Sequence, residues 1–347
     1  MDSFGRIFKV HIFGESHGES VGLVIDGCPA GLPLQAEDFA VDIERRKGGQ
    51  QKGTTPRKED DLPLFKSGVF NDKTTGAPIA IFFENKNTRS GDYEKQRAVP
   101  RPGHADFVAN KKFGGYEDFR GGGHFSGRLT VCLVAAGVIA KKILNSPIHS
   151  INHGEKQSLH QSAIHVTAAI LEIGGETDLE KGLQKAIDAK DSIGGIVECR
   201  VSGLPIGLGE PFFDSIESVL SHAVFAIPAV RGIEFGTGFA AAKMFGAEHN
   251  DPIETAAGKT KTNHAGGVVG GITNGNELVF RIAIKPTSST PKEQKTFNWE
   301  SGGMDSFSVK GRHDLCIALR VPVVLEAVTA FVLADLLFLE QHIKRIL

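Results

Sequence analysis

Residues Arg120 to Arg128 read Arg-Gly-Gly-Gly-His-Phe-Ser-Gly-Arg, three bare backbone positions framed by two guanidiniums and an imidazole. Such a stretch offers main-chain N–H groups to a bulky anion, and an arginine fork matches the edge of a carboxylate or phosphate. Glycines alone would equally suit an ordinary loop before a core helix; Arg120, His124 and Arg128 tip the reading toward anion binding. Five further loops carry the same mixture. Gly14-Glu-Ser16-His17-Gly18 presents an imidazole for acid or hydrogen-bond duty, with a structural turn histidine as the alternative. Arg101-Pro-Gly-His104-Ala-Asp106 sets a carboxylate beside a histidine and can tune its charge. Lys285-Pro-Thr-Ser-Ser289-Thr joins a lysine to a string of hydroxyls, either a phosphate grip or a serine-rich turn. Gly311-Arg312-His313-Asp314 lines up cation, imidazole and carboxylate, and Asn263-His264 precedes a glycine run ending at Gly270-Gly271.

Several chemistries are excluded by what these loops lack. Ser16 and His17 are sequence neighbours and cannot form a nucleophile–base pair along a strand. There is no HExxH, no Walker A loop and no strand-bound GxGxxG. Cys28, Cys132, Cys199 and Cys316 are far apart among apolar neighbours, so free thiols are expected and a zinc site is not. Charge is balanced, 39 Lys+Arg against 41 Asp+Glu, which argues against a nucleic-acid binder. Basic residues cluster locally instead, as at Arg45-Arg46-Lys47 with Lys52 in the turn beyond. Half of that cluster serves a helix C-terminus; Lys52 is the better ligand. The inventory fits capture of a small anionic substrate with proton shuttling.

The elements that must position these loops are mixed. Alternating runs predict strands at Ile7–Phe13, Val21–Asp26, Pro78–Glu84, Ile196–Val201 and Glu277–Ile284, with Leu315–Val321 also strand-like. Helices are predicted at Ala36–Lys47, at Thr130–Leu144, after capping boxes beginning at Thr177 and Asp214, and from Val323 to about Ile346. Leu325–Leu339 is apolar but carries Glu326 and Asp335, which favours a core helix over a membrane span. The N-terminal run has neither the basic region nor the apolar core of a secretory signal, so a cytoplasmic protein without membrane attachment is expected. The turn-rich stretches 48–63, 85–104 and 285–312 exceed ordinary connections and carry the motifs.

Taken in order, Gly14–Gly18, Arg45-Arg46, Arg101–Asp106, Arg120–Gly123, Asp191-Ser-Ile-Gly-Gly195, Gly207-Leu-Gly-Glu-Pro211, Asn263–Gly267, Lys285–Ser289 and Gly311–Asp314 resemble the chorismate synthase family over nearly the whole chain. The resemblance implies one α+β domain spanning residues 1–347, a βαβ sandwich with long central helices between two antiparallel four-stranded sheets, assembled as a homotetramer. It implies a carbon–oxygen lyase that eliminates phosphate from 5-enolpyruvylshikimate 3-phosphate, using reduced FMN without net redox change. By the same resemblance His17, His104 and Asp314 are catalytic. Ser16, Arg46, Lys52, Arg101, Arg128 and Arg312 bind substrate. His124, Phe125, Ser126, Pro228, Ala229, Gly270, Lys285, Pro286, Thr287, Ser288, Ser289 and Arg312 contact the flavin. Many members read Arg-Ser-Ser-Ala-Arg where this chain has His124-Phe-Ser-Gly-Arg128, and arginine where it has Lys52. Reduction of the flavin by NADPH on this protein and supply by an external flavin reductase both stay open. So do a flavin-dependent oxidoreductase and a flavin-binding module without activity.

Overall fold

The computed structural model describes residues 2–49, 52–55, 59–86, 97–146, 163–309 and 314–340. Its strands are β1 (Ser3–Phe4), β2 (Lys9–Gly14), β3 (Ser20–Asp26), β4 (Leu64–Ser67), β5 (Val69–Phe70), β6 (Lys73–Thr74), β7 (Ile79–Glu84), β8 (His165–Ile173), β9 (Gly195–Ser202), β10 (Val230–Phe235), β11 (Val268–Val269), β12 (Ile272–Thr273), β13 (Leu278–Ile284), β14 (Gln294–Asn298) and β15 (Gly303–Phe307). The helices are α1 (Ala40–Arg46), α2 (Asp106–Phe113), α3 (Thr130–Leu144), α4 (Leu179–Ala189), α5 (Ile216–Val224), α6 (Gly246–His249) and α7 (Val321–Glu340).

Two antiparallel sheets carry the fold, in strand orders β1-β2-β3-β7-β4 and β10-β13-β9-β8. Alternation sends Val21, Leu23 and Ile25 of β3, and Val197, Cys199 and Val201 of β9, into the core. Helices α3 and α7 are apolar on every face, as helices buried on all sides must be. They pack together, α3 also touching β2 and β3 and α7 touching β8 and β9, so the helix pair joins one sheet to the other.

The two acids within α7 explain why so apolar a helix belongs in this core. Glu326 accepts from both Arg45 guanidinium nitrogens at 2.7 Å, from Lys141 Nζ at 3.0 Å and from the Ala168 N–H at 3.0 Å. Burial alone would raise its pKa, but the Arg45 hydrogen bonds and Lys141 outweigh it and hold the carboxyl below its usual range. Asp335 accepts the N–H groups of Arg6, Ile7 and Phe8 at 2.7–3.0 Å, fixing the turn that enters β2.

Several expectations are corrected. The first sheet has five strands, because two residues at Ser3–Phe4 add an edge to β2. Leu315–Val321 is no strand: a 3-10 turn at Ile317–Arg320 runs into α7, which starts at Val321. Pro322 therefore sits in the first turn, where its missing N–H costs nothing. The caps of α4 and α5 are Asp178 and Ser215, each one residue later than expected, accepting from the N–H of Lys181 and Ser218. Ala36–Lys47 divides at the fully buried Phe39 into a 3-10 turn and α1. The stretch 285–312 contains the β14–β15 hairpin, whose polar alternation was not recognised as strand.

At the α3–α7 crossing Gly137 lets the backbones meet, since a Cβ there would overlap Ala327 Cβ and Cα. Gly137→Ala is expected to lower stability by about 1–3 kcal/mol through overpacking. Urea unfolding checks this, and an unchanged midpoint would show that the crossing has slack.

Candidate active site

The glycine loop brings protein groups together. Gly121, Gly122 and Gly123 all take positive φ (60°, 85° and 52°), a region that L side chains rarely adopt. A Cβ on Gly121 would overlap the His17 imidazole edge and lie 3.1 Å from Ser16 Oγ. A Cβ on Gly122 would sit 3.3 Å from His104 Nε2, and one on Gly123 would strike the Asp118 carbonyl. The Ser16 N–H donates to the Gly123 carbonyl at 3.1 Å, tying the β2–β3 turn to the loop. His17 and His104, 87 residues apart in sequence, thus meet adjacent positions of one backbone.

Beside this loop opens a cavity of about 710 Å³, a size typical of small-molecule sites. Arg46, Arg101, Arg128, Lys285, His104 and Asp314 line it. So do His124, Phe125 and Ser126, Pro228 and Ala229, and the run Lys285–Ser289. Its apolar side includes Leu133, Val324 and Phe331. Ser16 and His17 lie just behind Gly121, itself on the wall. Lys52 is exposed and bonds Gln184 Oε1 at 3.2 Å on α4, off the wall. Gly270 turns the β11–β12 hairpin and does not line the cavity either. Arg312 falls outside the described residues.

Acids organise these cations. Arg101 forks onto Asp106 through Nε at 2.7 Å and NH2 at 2.8 Å, while His104 Nδ1 lies 2.5 Å from the same carboxylate. Burial pushes Asp106 up, but the Arg101 fork and His104 hold it far below the ordinary carboxylate range. An ionised carboxylate only accepts, so the proton belongs on Nδ1 and Nε2 is left on the side of Gly122. Asp314 accepts from the Thr55 N–H at 2.8 Å and from Arg320 NH1 at 3.1 Å. Arg120 is bound by Asp118, at 2.8 Å from each of two nitrogens, and points its charge there. His124 spends both ring nitrogens on protein, Gly14 O at 2.8 Å and Asp2 Oδ1 at 3.2 Å, so it contributes wall more than donors.

Comparison with known proteins agrees along the whole chain. The family model for chorismate synthase matches residues 8–338. The chain is 68% identical over 346 residues to chorismate synthase of Chitinophaga pinensis, covering 100% of this chain and 99% of that one. It is 41% identical over 364 residues to chorismate synthase of Methanocaldococcus jannaschii, covering 97% and 96%. A crystal structure of chorismate synthase matches with a TM-score of 0.71 at 25% identity, over 96% of this chain and 92% of that chain. The chain belongs to the chorismate synthase family. Chorismate synthase is a carbon–oxygen lyase acting on a small-molecule substrate, and the family requires reduced flavin.

The chemistry of the wall fits a flavin phosphate. Lys285 Nζ bonds the Gly103 carbonyl at 2.8 Å and Ser288 Oγ at 2.9 Å, and no carboxylate pairs with it among the described residues. Burial, with Arg231 nearby, lowers its affinity for a proton, and an anion bound there would offset both effects. Ala229 holds φ at 75°, strain of the kind found where backbone is shaped for a ligand, and its carbonyl is anchored by the Lys285 N–H at 2.9 Å.

Two wall residues escaped sequence reasoning. Asp61 closes an acidic run, Glu59-Asp60-Asp61, and nothing in the sequence sets it apart from its neighbours. Arg320 lay inside a stretch read as strand; as an arginine just before a helix N-terminus it opposes the macrodipole, which was the available signal. Gly121→Ala is expected to fold, displace His17 and lower kcat at least about tenfold with flavin affinity retained. Wild-type kcat in the folded variant would show that the His17–loop contact is unimportant.

Proposed function

We propose that this chain binds 5-enolpyruvylshikimate 3-phosphate and reduced FMN together in the 710 Å³ cavity and performs the 1,4-anti elimination of phosphate that yields chorismate. The observation that carries the reading is the convergence of His17 and His104 on Gly121 and Gly122, beside a wall bearing Arg46, Arg101, Arg128 and Lys285. Two carboxylates and a phosphate would be very costly to dehydrate without such cations. Arg46, Arg101 and Arg128 hold those groups through charge-assisted hydrogen bonds. His17 donates a proton or hydrogen bond to the departing phosphate, with Ser16 Oγ, buried and without a partner among the described residues, as a second donor. His104, oriented by Asp106, serves the flavin N1/C2 edge. Asp314, held by Thr55 and Arg320, would be the carboxylate that assists proton transfer at the flavin N5.

Lys285 to Ser289, Ser126, Pro228 and Ala229 would hold the flavin, which in its reduced form supplies an electron that the elimination borrows and returns. The apolar side of the cavity keeps water from the reacting groups. A homotetramer, NADPH or an external reductase as the source of reducing equivalents, and a cytoplasmic setting for a single catalytic domain complete the proposal. Phe212, Phe213, Phe239 and Phe245, each at least 79% exposed, support burial in an assembly. Four buried, unlinked cysteines suit a reducing compartment.

Under anaerobic conditions with reduced FMN, one phosphate is expected per chorismate formed, with no stoichiometric loss of reductant. NADPH or dithionite consumption equal to turnover would instead mark an oxidoreductase. Arg128→Ala is expected to weaken substrate binding by about 1.5–3 kcal/mol per hydrogen bond lost. An unchanged substrate Kd would remove Arg128 from the site.

A further inference from the structure

Four arginines line the cavity, and among the described residues three aspartates pair with them: Asp106 with Arg101, Asp314 with Arg320, and Asp61 with both Arg46 and Arg128. Asp61 is the unusual member. Its carboxylate is fully buried, Oδ2 accepts from Arg46 NH2 at 2.7 Å and Oδ1 accepts from Arg128 NH1. Its backbone takes φ 52°, a strained choice for a non-glycine residue that surrounding contacts must enforce. The two guanidiniums come from distant elements, Arg46 from the last turn of α1 and Arg128 from the turn after the glycine loop. Each is 4% exposed at its side chain. Among the described residues the Arg46 guanidinium has one further partner, Thr130 Oγ1 at 3.1 Å, and its Nε is buried with none. Arg128 donates to Asn85 Oδ1 at 2.9 Å and to the Glu84 carbonyl at 3.3 Å. No other carboxylate is within ion-pair reach of Arg46 or Arg128 among the described residues.

Two buried guanidiniums so close repel each other, and neutral acceptors cannot offset that. We propose that Asp61 is the positioning residue of the substrate site: its single carboxylate clamps Arg46 and Arg128 into one converged pair and sets the charge that the pair presents to an anionic substrate. Burial opposes the charge on Arg46, Arg320 and Arg128 oppose it further, and Asp61 is the first group that supports it. Asp61 also lines the cavity, so the space left by truncating its side chain would adjoin that cavity. The inference rests on Arg46 and Arg128 contacting substrate.

The test is Asp61→Ala, with the isosteric Asp61→Asn as second variant, in steady-state assays with reduced FMN and 5-enolpyruvylshikimate 3-phosphate, folding being followed by thermal unfolding. In both variants KM is expected to rise at least about tenfold with a smaller change in kcat. Tens of millimolar formate, a carboxylate small enough to replace the missing group, should lower KM again in the alanine variant and leave the wild type unaffected. A folded variant with wild-type KM overturns the proposal, as does a raised KM in the alanine variant that formate does not move. Failure of both variants to fold would likewise overturn it, making Asp61 a residue of the fold. If Arg128→Ala leaves substrate binding unchanged, the substrate reading of the arginines falls, whatever Asp61 does.

Discussion

Everything at this site depends on a backbone that can pass where no side chain fits. Residues 121–123 run with positive φ between the His17 imidazole, the His104 imidazole and the Asp118 carbonyl. Any Cβ at the first or third position would collide with one of them, and at the second it would crowd His104. The loop is thus a spacer of minimum thickness, and its thinness is what lets two histidines from different parts of the chain approach adjacent positions of one backbone. The β2–β3 turn is locked to it through the Ser16 N–H, so the position of His17 follows from the sheet beneath.

Electrostatics supplies the second constraint. A cavity proposed to take a multiply anionic substrate needs cations, yet cations gathered in a partly dry wall repel one another. The fold resolves this by pairing every wall arginine with an aspartate, two of them local in sequence and Asp61 shared between arginines of distant elements. Asp106 lies on the first turn of α2, Asp314 before the turn into α7, and Asp61 on the long connection before β4. Lys285 is the cation without such a partner among the described residues, held by a carbonyl and a hydroxyl. That difference separates a polar strip suited to phosphate from a region of paired arginines.

The same logic of buried charge orders the scaffold. Glu326 draws α1, α3 and β8 onto α7, and Asp335 seats the entry to β2. These acids sit in the most apolar helix of the chain, where unpaired they would be prohibitive. Paired, they give two otherwise uniform greasy helices a register, alongside the Gly137–Ala327 crossing.

Much of this was legible along the chain. Periodicity located β3, β7, β9, β13 and the whole of α3, because alternation and apolar runs reflect local backbone geometry. Ordered motifs identified the family and many of the polar residues on the cavity wall, since glycine, histidine and arginine in turn-rich loops stand out from the periodic elements around them. The 3-10 turn at Ile317–Arg320, the cap positions of α4 and α5 and the edge strand β1 were not legible, because packing against distant residues decides them. The same holds for Asp61 and Arg320, ordinary charges in sequence whose meaning is their partners. Lys52 shows the reverse case, a cation in a promising motif that the fold directs onto α4. By itself the sequence determined which groups could do chemistry and on what kinds of element they sit. Only the tertiary structure decided which of them meet, because ion pairing and close approach depend on distances between segments that the chain order does not contain.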